Sequence, residues 1–266
     1  MAHRQRLIVG NWKMHKTISE ALDFVQQLAG LLPNTPPGNT RVISAPPFTA
    51  LPAVASTLAT LGLTQPPPVM MALAAQDVHW EDQGAFTGEM SPAMLREAGC
   101  RYVIIGHSER RRYFGETDAT VKKKVAAALR HSLRPIVCVG ETWEQRASGQ
   151  TEQVLSGQLT EALSGIEKDG AVNVVIAYEP VWAIGSGQPA TAEQARDVHR
   201  HIRATVTALW GREAGEHLPI LYGGSVTPDN IEEFLALREV DGALVGGACL
   251  DPAQFAKILE IAHTNP

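Results

Sequence analysis

Cysteine is scarce in this chain: Cys100, Cys138 and Cys249 are odd in number, far apart and free of any C-x-x-C pair. That argues against a disulfide framework and against a zinc site, and it fits buried thiols in a reducing compartment. Long hydrophobic runs are missing too. The apolar stretch near the amino terminus, around Leu7 and Val9, gives way to polar residues too soon for a secretion signal or a membrane span. A soluble, cytoplasmic protein is expected. An excess of basic residues is the third absence. Lys and Arg number 23 against 28 Asp and Glu, a formal net charge of −5. The broad basic face that nucleic acid requires is therefore not expected. A small anionic ligand stays compatible, because a local site can be positive on an acidic protein.

What the chain does have is an ordinary globular balance, 44% hydrophobic and 19% charged over 266 residues, enough to bury a large core. Eight short apolar or β-branched runs recur, at residues 7–9, 41–45, 71–75, 102–105, 135–139, 174–178, 219–222 and 242–245. They read as near-continuous apolar stretches, the pattern of strands covered on both faces in a parallel sheet. Helical patterns lie between them, clearest at 20–32, 119–132, 192–210 and 252–262. Thr17 with Glu20, and Thr191 with Gln194, have capping-box spacing. Ser91, Thr227 and Asp251 each precede a proline suited to a first helical position.

Eight β-then-α units without a linker or a change of composition point to one domain spanning residues 1–266. The fold class expected is α/β, a single (β/α)8 barrel with eight parallel strands. An open, doubly wound sheet is the alternative, but it usually has fewer strands and one clear nucleotide-binding turn. The proline-rich stretches at 32–37 and 65–68 are expected as loops on the face opposite the site.

In such a barrel the active site lies at the carboxyl ends of the strands. Asn11 and Lys13 follow the first run, His107 and Glu109 the fourth, and Glu179 the sixth, ahead of a lid-like loop. Ser225 follows the seventh run, and Gly246 and Gly247 the eighth. A histidine placed like His107 is more often structural than catalytic when taken alone. Lys13 is more suspicious, since a surface lysine gains nothing from that placement. Lys122 to Lys124 read as the solvated face of a helix. His199 and His201, two apart on a helix, point in different directions and form no metal pair.

Two glycine patterns suggest phosphate. Gly185-Ser186-Gly187-Gln188-Pro189-Ala190 fits the loose dinucleotide pattern G-x-G-x-x-A, but it begins past the strand end and Pro189 interrupts it. Gly224-Ser225 and Gly246-Gly247 instead follow the last two strands, where such barrels commonly grip phosphate with bare amides. A tight-turn role explains those glycines equally well.

Six stretches together resemble the triosephosphate isomerase family. They are Gly10 to Met14 (GNWKM), Gly84 to Glu89 (GAFTGE), Gly106 to Arg111 (GHSERR), Ala177 to Gly185 (AYEPVWAIG), Tyr222 to Val226 (YGGSV) and Leu244 to Gly247 (LVGG). They run through the whole chain in the family's order.

The resemblance implies interconversion of dihydroxyacetone phosphate and glyceraldehyde 3-phosphate, without cofactor or metal, in glycolysis and gluconeogenesis. It makes Glu179 the base and His107 the group that polarises the carbonyl and moves protons between the oxygens. Lys13, with Asn11 beside it, would stabilise the enediolate, and Glu109 would sit close behind Lys13. Amides at the helix start after His107 would keep its ring neutral, an effect of which these enzymes are themselves the standard example. Gly185, Ser186, Ser225, Gly246 and Gly247 would hold phosphate. Thr87 would reach a partner subunit's site, so a homodimer is implied.

Two positions depart from the family's habit. Ser186-Gly187-Gln188 stands where threonine and lysine are common, and Asp77 where asparagine is usual. The rival readings are another phosphosugar barrel, such as a Schiff-base aldolase using Lys13, and a non-catalytic phosphometabolite-binding protein. The complete Lys, His and Glu set disfavours the last.

Overall fold

All eight expected runs are strands, and they close into a barrel in chain order, β1 to β8. The strands are β1 (Arg6–Asn11), β2 (Thr40–Ala45), β3 (Met71–Ala75), β4 (Cys100–Ile105), β5 (Arg134–Val139), β6 (Val175–Tyr178), β7 (Ile220–Tyr222) and β8 (Gly242–Val245). Every neighbouring pair is parallel, and β1 pairs with β8 to close the ring. The computed structural model describes residues 4–32, 39–64, 71–184 and 189–264.

Parallel pairing buries each strand on both faces, which is why the runs do not alternate with polar residues. Alternation survives in which core each residue enters. Leu7, Val9, Ile104, Ile136 and Leu244 fill the barrel interior. Ile8, Val103, Ile105 and Val137 face the surrounding helices and join the larger core.

The expected helices form with shifted ends: Ile18–Leu31, Asp118–Arg130, Ala192–Trp210 and Pro252–Thr264. Both expected capping boxes are present, at Thr17 and Thr191. Ser91 and Asp251 cap as expected, through the amides of Met94 and Gln254. Thr227 does not. Its carbonyl accepts from Asn230 and Ile231, so Pro228 lies in a turn and the helix starts only at Ile231.

The lysine cluster needs a correction. Lys124 is buried, and its Nζ lies 2.6 Å from Asp77 and 2.7 Å from Glu116. Arg110 reaches the other Asp77 oxygen at 2.8 Å. Asp77, from the loop after β3, and Glu116, just ahead of the helix itself, bring their carboxylates over it, so its lysine face is not uniformly solvated. The unusual Asp77 thus has two cationic partners, as a buried carboxylate requires. Most of the two proline-rich stretches lies outside the described residues. The three cysteines are buried free thiols. Among the described residues no helix is long and apolar enough to cross a membrane.

Candidate active site

The carboxyl ends of the strands surround a cavity of about 430 Å³. Of the residues expected there, Asn11, Lys13, His107, Glu109 and Glu179 all line it, as do Ser225, Gly246 and Gly247. Gly185 and Ser186 lie outside the described residues. Thr87 does not line this cavity. It sits exposed in a loop turned by Gly84 and Gly88, both at positive φ.

Lys13 stands two residues past the last residue of β1, in a left-handed conformation with φ 51°. That region costs a side-chain-bearing residue about 1–3 kcal/mol, so neighbours must impose it. Asn11 Oδ1 accepts the Lys13 amide at 3.0 Å, and Gln76 Nε2 donates to the Lys13 carbonyl at 2.8 Å. The backbone is held from both sides. Its Nζ then meets Glu109 Oε1 at 2.6 Å and lies over Gly246. Such strain, held in place by its neighbours at a cavity wall, marks Lys13 as a candidate for function.

His107 caps the helix Ser108–Phe114, its Nδ1 accepting the Glu109 amide at 3.2 Å. The lone pair on Nδ1 is thereby occupied, which puts the ring proton on Nε2. Nε2 faces Glu179 Oε1 at 2.9 Å, and the Ser108 amide donates to Glu179 Oε2 at 2.8 Å. Burial works against a charged His107, but the Glu179 carboxylate, with Glu109 behind it, more than offsets it and raises the histidine's pKa from its ordinary value. Burial works against a charged Glu179 as well. His107 and the Ser108 amide prevail, and hold its pKa below the usual carboxylate range. Each group keeps the other in its hydrogen-bonding form while no third group intervenes.

The Glu179 backbone is as constrained as its side chain. Its amide donates to the Val139 carbonyl at 2.8 Å, tying it to the end of β5. Gly140 runs so close beside it that an added Cβ would stand 1.7 Å from the Glu179 carbonyl oxygen. Only glycine allows that approach. The end of the cavity near β7 and β8 is lined by backbone from Gly223 to Ser225 and by Gly246 and Gly247. At Gly224 a Cβ would stand 2.2 Å from the Tyr222 hydroxyl.

Three relevant residues escaped the sequence reading. Glu141 is fully buried, and its Oε1 collects Tyr178 Oη at 3.1 Å, Trp182 Nε1 at 2.9 Å and Arg146 Nη1 at 3.1 Å. Trp182 belongs to the turn Val181–Ala183 that leads out of the Glu179 strand end. Glu141 therefore anchors the start of the expected lid, while the Tyr222 hydroxyl accepts the Ala190 amide at 3.2 Å beyond it. Gln76, which grips Lys13, is the second. Gln76 and Glu141 lie one and two residues past a strand end, so the rule that found His107 and Glu179 would have found them at the third and fifth strands. Arg112 is the third, and it lines the cavity from a helix surface that no strand-end rule reaches.

Comparison with known proteins identifies the family. The profile of the triosephosphate isomerase family matches residues 6–262. The triosephosphate isomerase of Thermoanaerobacter sp. (strain X514) is 50% identical over 256 residues, covering 96% of this chain and 99% of that protein. That of Chloroflexus aurantiacus is 52% identical over 253 residues, covering 95% and 97%. A Synechococcus sp. enzyme of the same name is 50% identical, with 99% of each chain covered.

Proposed function

The chain belongs to the triosephosphate isomerase family and interconverts dihydroxyacetone phosphate and D-glyceraldehyde 3-phosphate, and from that premise we propose which of its residues carry the reaction. Glu179 is the base, His107 and Lys13 face the substrate oxygens, Asn11 and Glu109 hold Lys13, and the glycine-lined end receives the phosphate. The observation that carries this is the buried contact of Glu179 with His107 Nε2 at 2.9 Å, in one cavity with Lys13.

The two trioses have the same composition, so no oxidant or reductant enters the balance. A carbonyl oxygen arriving at His107 Nε2 displaces Glu179 from that nitrogen and frees the carboxylate to face the adjacent carbon. Glu179 then removes the carbon-bound proton. The C–H electron pair forms the enediolate double bond, and the oxygen takes up negative charge beside Lys13 Nζ and the His107 N–H. His107 relays a proton between the two oxygens, and Glu179, whose captured proton exchanges in part with solvent before the enediolate collapses, delivers a proton to the other carbon.

Once Glu179 has moved, the larger of the two carboxylate influences that raised the His107 pKa is gone, and only that of Glu109 remains. Burial and the Glu109 amide then favour a neutral ring. The phosphate sits on amides near Ser225, Gly246 and Gly247, with Gly185 and Ser186 completing the grip in this reading. Closure of the loop between Trp182 and Ala190 excludes water from the enediolate, which could otherwise expel phosphate.

Turnover in D2O tests the proton path. Deuterium is expected on carbon in the recovered substrate and product. Conversion without any carbon-bound deuterium, or a borohydride-trapped adduct on Lys13, would sink the enediolate route in favour of direct hydride shift or Schiff-base chemistry.

The protein is also read as a homodimer, with Thr87 of each subunit reaching toward the other's site. Met14, next to Lys13, is 95% exposed, and Phe114, at the end of the His107 helix, is 68% exposed. Large apolar side chains left open beside a catalytic cavity suit a subunit contact. Light scattering is expected to give twice the chain mass of 28.7 kDa; a monomer at assay concentration would refute the dimer. A cytoplasmic location completes the reading, supported by three free buried thiols; recovery of the activity outside the soluble cell fraction would contradict it.

A further inference from the structure

Three arginines stand in a row on the helix Ser108–Phe114, and two of them are committed. Arg110 pairs with Asp77 at 2.8 Å and Arg111 with Asp118 at 2.6 Å. Arg112 differs. It is exposed and lines the cavity, and its guanidinium lies 5.0 Å from the centre of the Tyr113 ring. Among the described residues it has no carboxylate within ion-pair distance.

The charge in the cavity gives this arginine a task. Lys13 is matched by Glu109 at 2.6 Å. With the Glu109 amide on Nδ1 leaving the His107 ring a single proton, Glu179 makes the site one unit negative before Arg112 is counted, on a protein of net charge −5. A phosphate dianion approaching that opening meets repulsion, and Arg112 is the cation at hand to cancel it. The aromatic ring beneath the guanidinium restrains it while leaving its N–H edge open to an oxyanion.

We propose that Arg112 is a substrate-capturing residue, drawing the dianionic phosphate of the incoming triose into the cavity before it settles on the glycine amides. This rests on the reading of the cavity as the triose phosphate site. Capture acts on association, so it shows in kcat/KM and fades as salt screens the field.

The test compares wild type, Arg112→Gln and Arg112→Lys with glyceraldehyde 3-phosphate between about 0.01 and 0.3 M salt, a range over which the Debye length falls from about 30 Å to below 10 Å. Arg112→Gln is expected to lower kcat/KM about three- to tenfold at low salt. The gap should close at high salt, kcat should change far less than KM, and Arg112→Lys should recover most of the loss. Superimposable salt profiles for wild type and Arg112→Gln would overturn the proposal. So would a loss that is equal at all salt concentrations and not rescued by lysine, since that marks a packing role. Glu179→Asp run in parallel separates the two readings. Full activity there defeats the site assignment itself, whereas an inactive Glu179→Asp beside an unaffected Arg112→Gln defeats only the capture role.

Discussion

Glu179→Asp is expected to lower kcat at least about 100-fold while KM changes only a few-fold, because misplacing a reacting group by about 1 Å costs that much in rate. The substitution keeps the charge and removes one methylene. Because the backbone is pinned by the amide bond to Val139 at 2.8 Å and by the packing of Gly140, it cannot advance to make up the reach. The carboxylate therefore withdraws from the carbon it must deprotonate. In the proposed mechanism substrate affinity rests on Lys13 and the glycine-lined end of the cavity, which the change leaves alone. A loss confined to kcat marks an interaction made in the transition state. Steady-state kinetics in both directions provide the check, and undiminished turnover would remove Glu179 from the mechanism.

Gly140→Ala should injure the same step from a different side. The new methyl would stand 1.7 Å from the Glu179 carbonyl oxygen and 2.7 Å from its carbonyl carbon. Backbone at the end of a barrel strand cannot yield by that much without dragging its neighbours. Gly223 donates to the Tyr178 carbonyl at 2.7 Å, so the disturbance passes on toward β7. Forced overpacking of this kind typically costs about 1–3 kcal/mol, occasionally more. The expected result is a lower urea midpoint together with a fall in kcat of about 100-fold or greater. A variant with wild-type stability and turnover would show that Glu179 does not depend on this close approach.

Much of this site was legible before any coordinates. The eight apolar runs marked the strands because a parallel strand buries both faces and leaves no polar alternation to confuse the pattern. Once the strands were placed, Lys13, His107 and Glu179 stood out simply by following them. The same rule applied evenly would have added Gln76 and Glu141. It could not have supplied their partners. That Glu141 gathers Tyr178, Trp182 and Arg146 depends on chain segments up to 41 residues apart meeting at one oxygen. Thr227 shows the opposite failure, a good local helix signal overruled when Asn230 bonded back to the Ser225 carbonyl at 3.0 Å.

The sequence by itself determined the barrel and the family, and it nominated the side chains proposed to react, because these follow from local periodicity and from motifs at strand ends. Tertiary structure alone decided which charges are compensated. Lys124 and Arg112 come from one charged stretch of chain, yet one is buried between Asp77 and Glu116 and the other is left without a carboxylate at the cavity mouth. Charge pairing acts through space over a few ångströms, and the distances that set it arise only when the barrel closes.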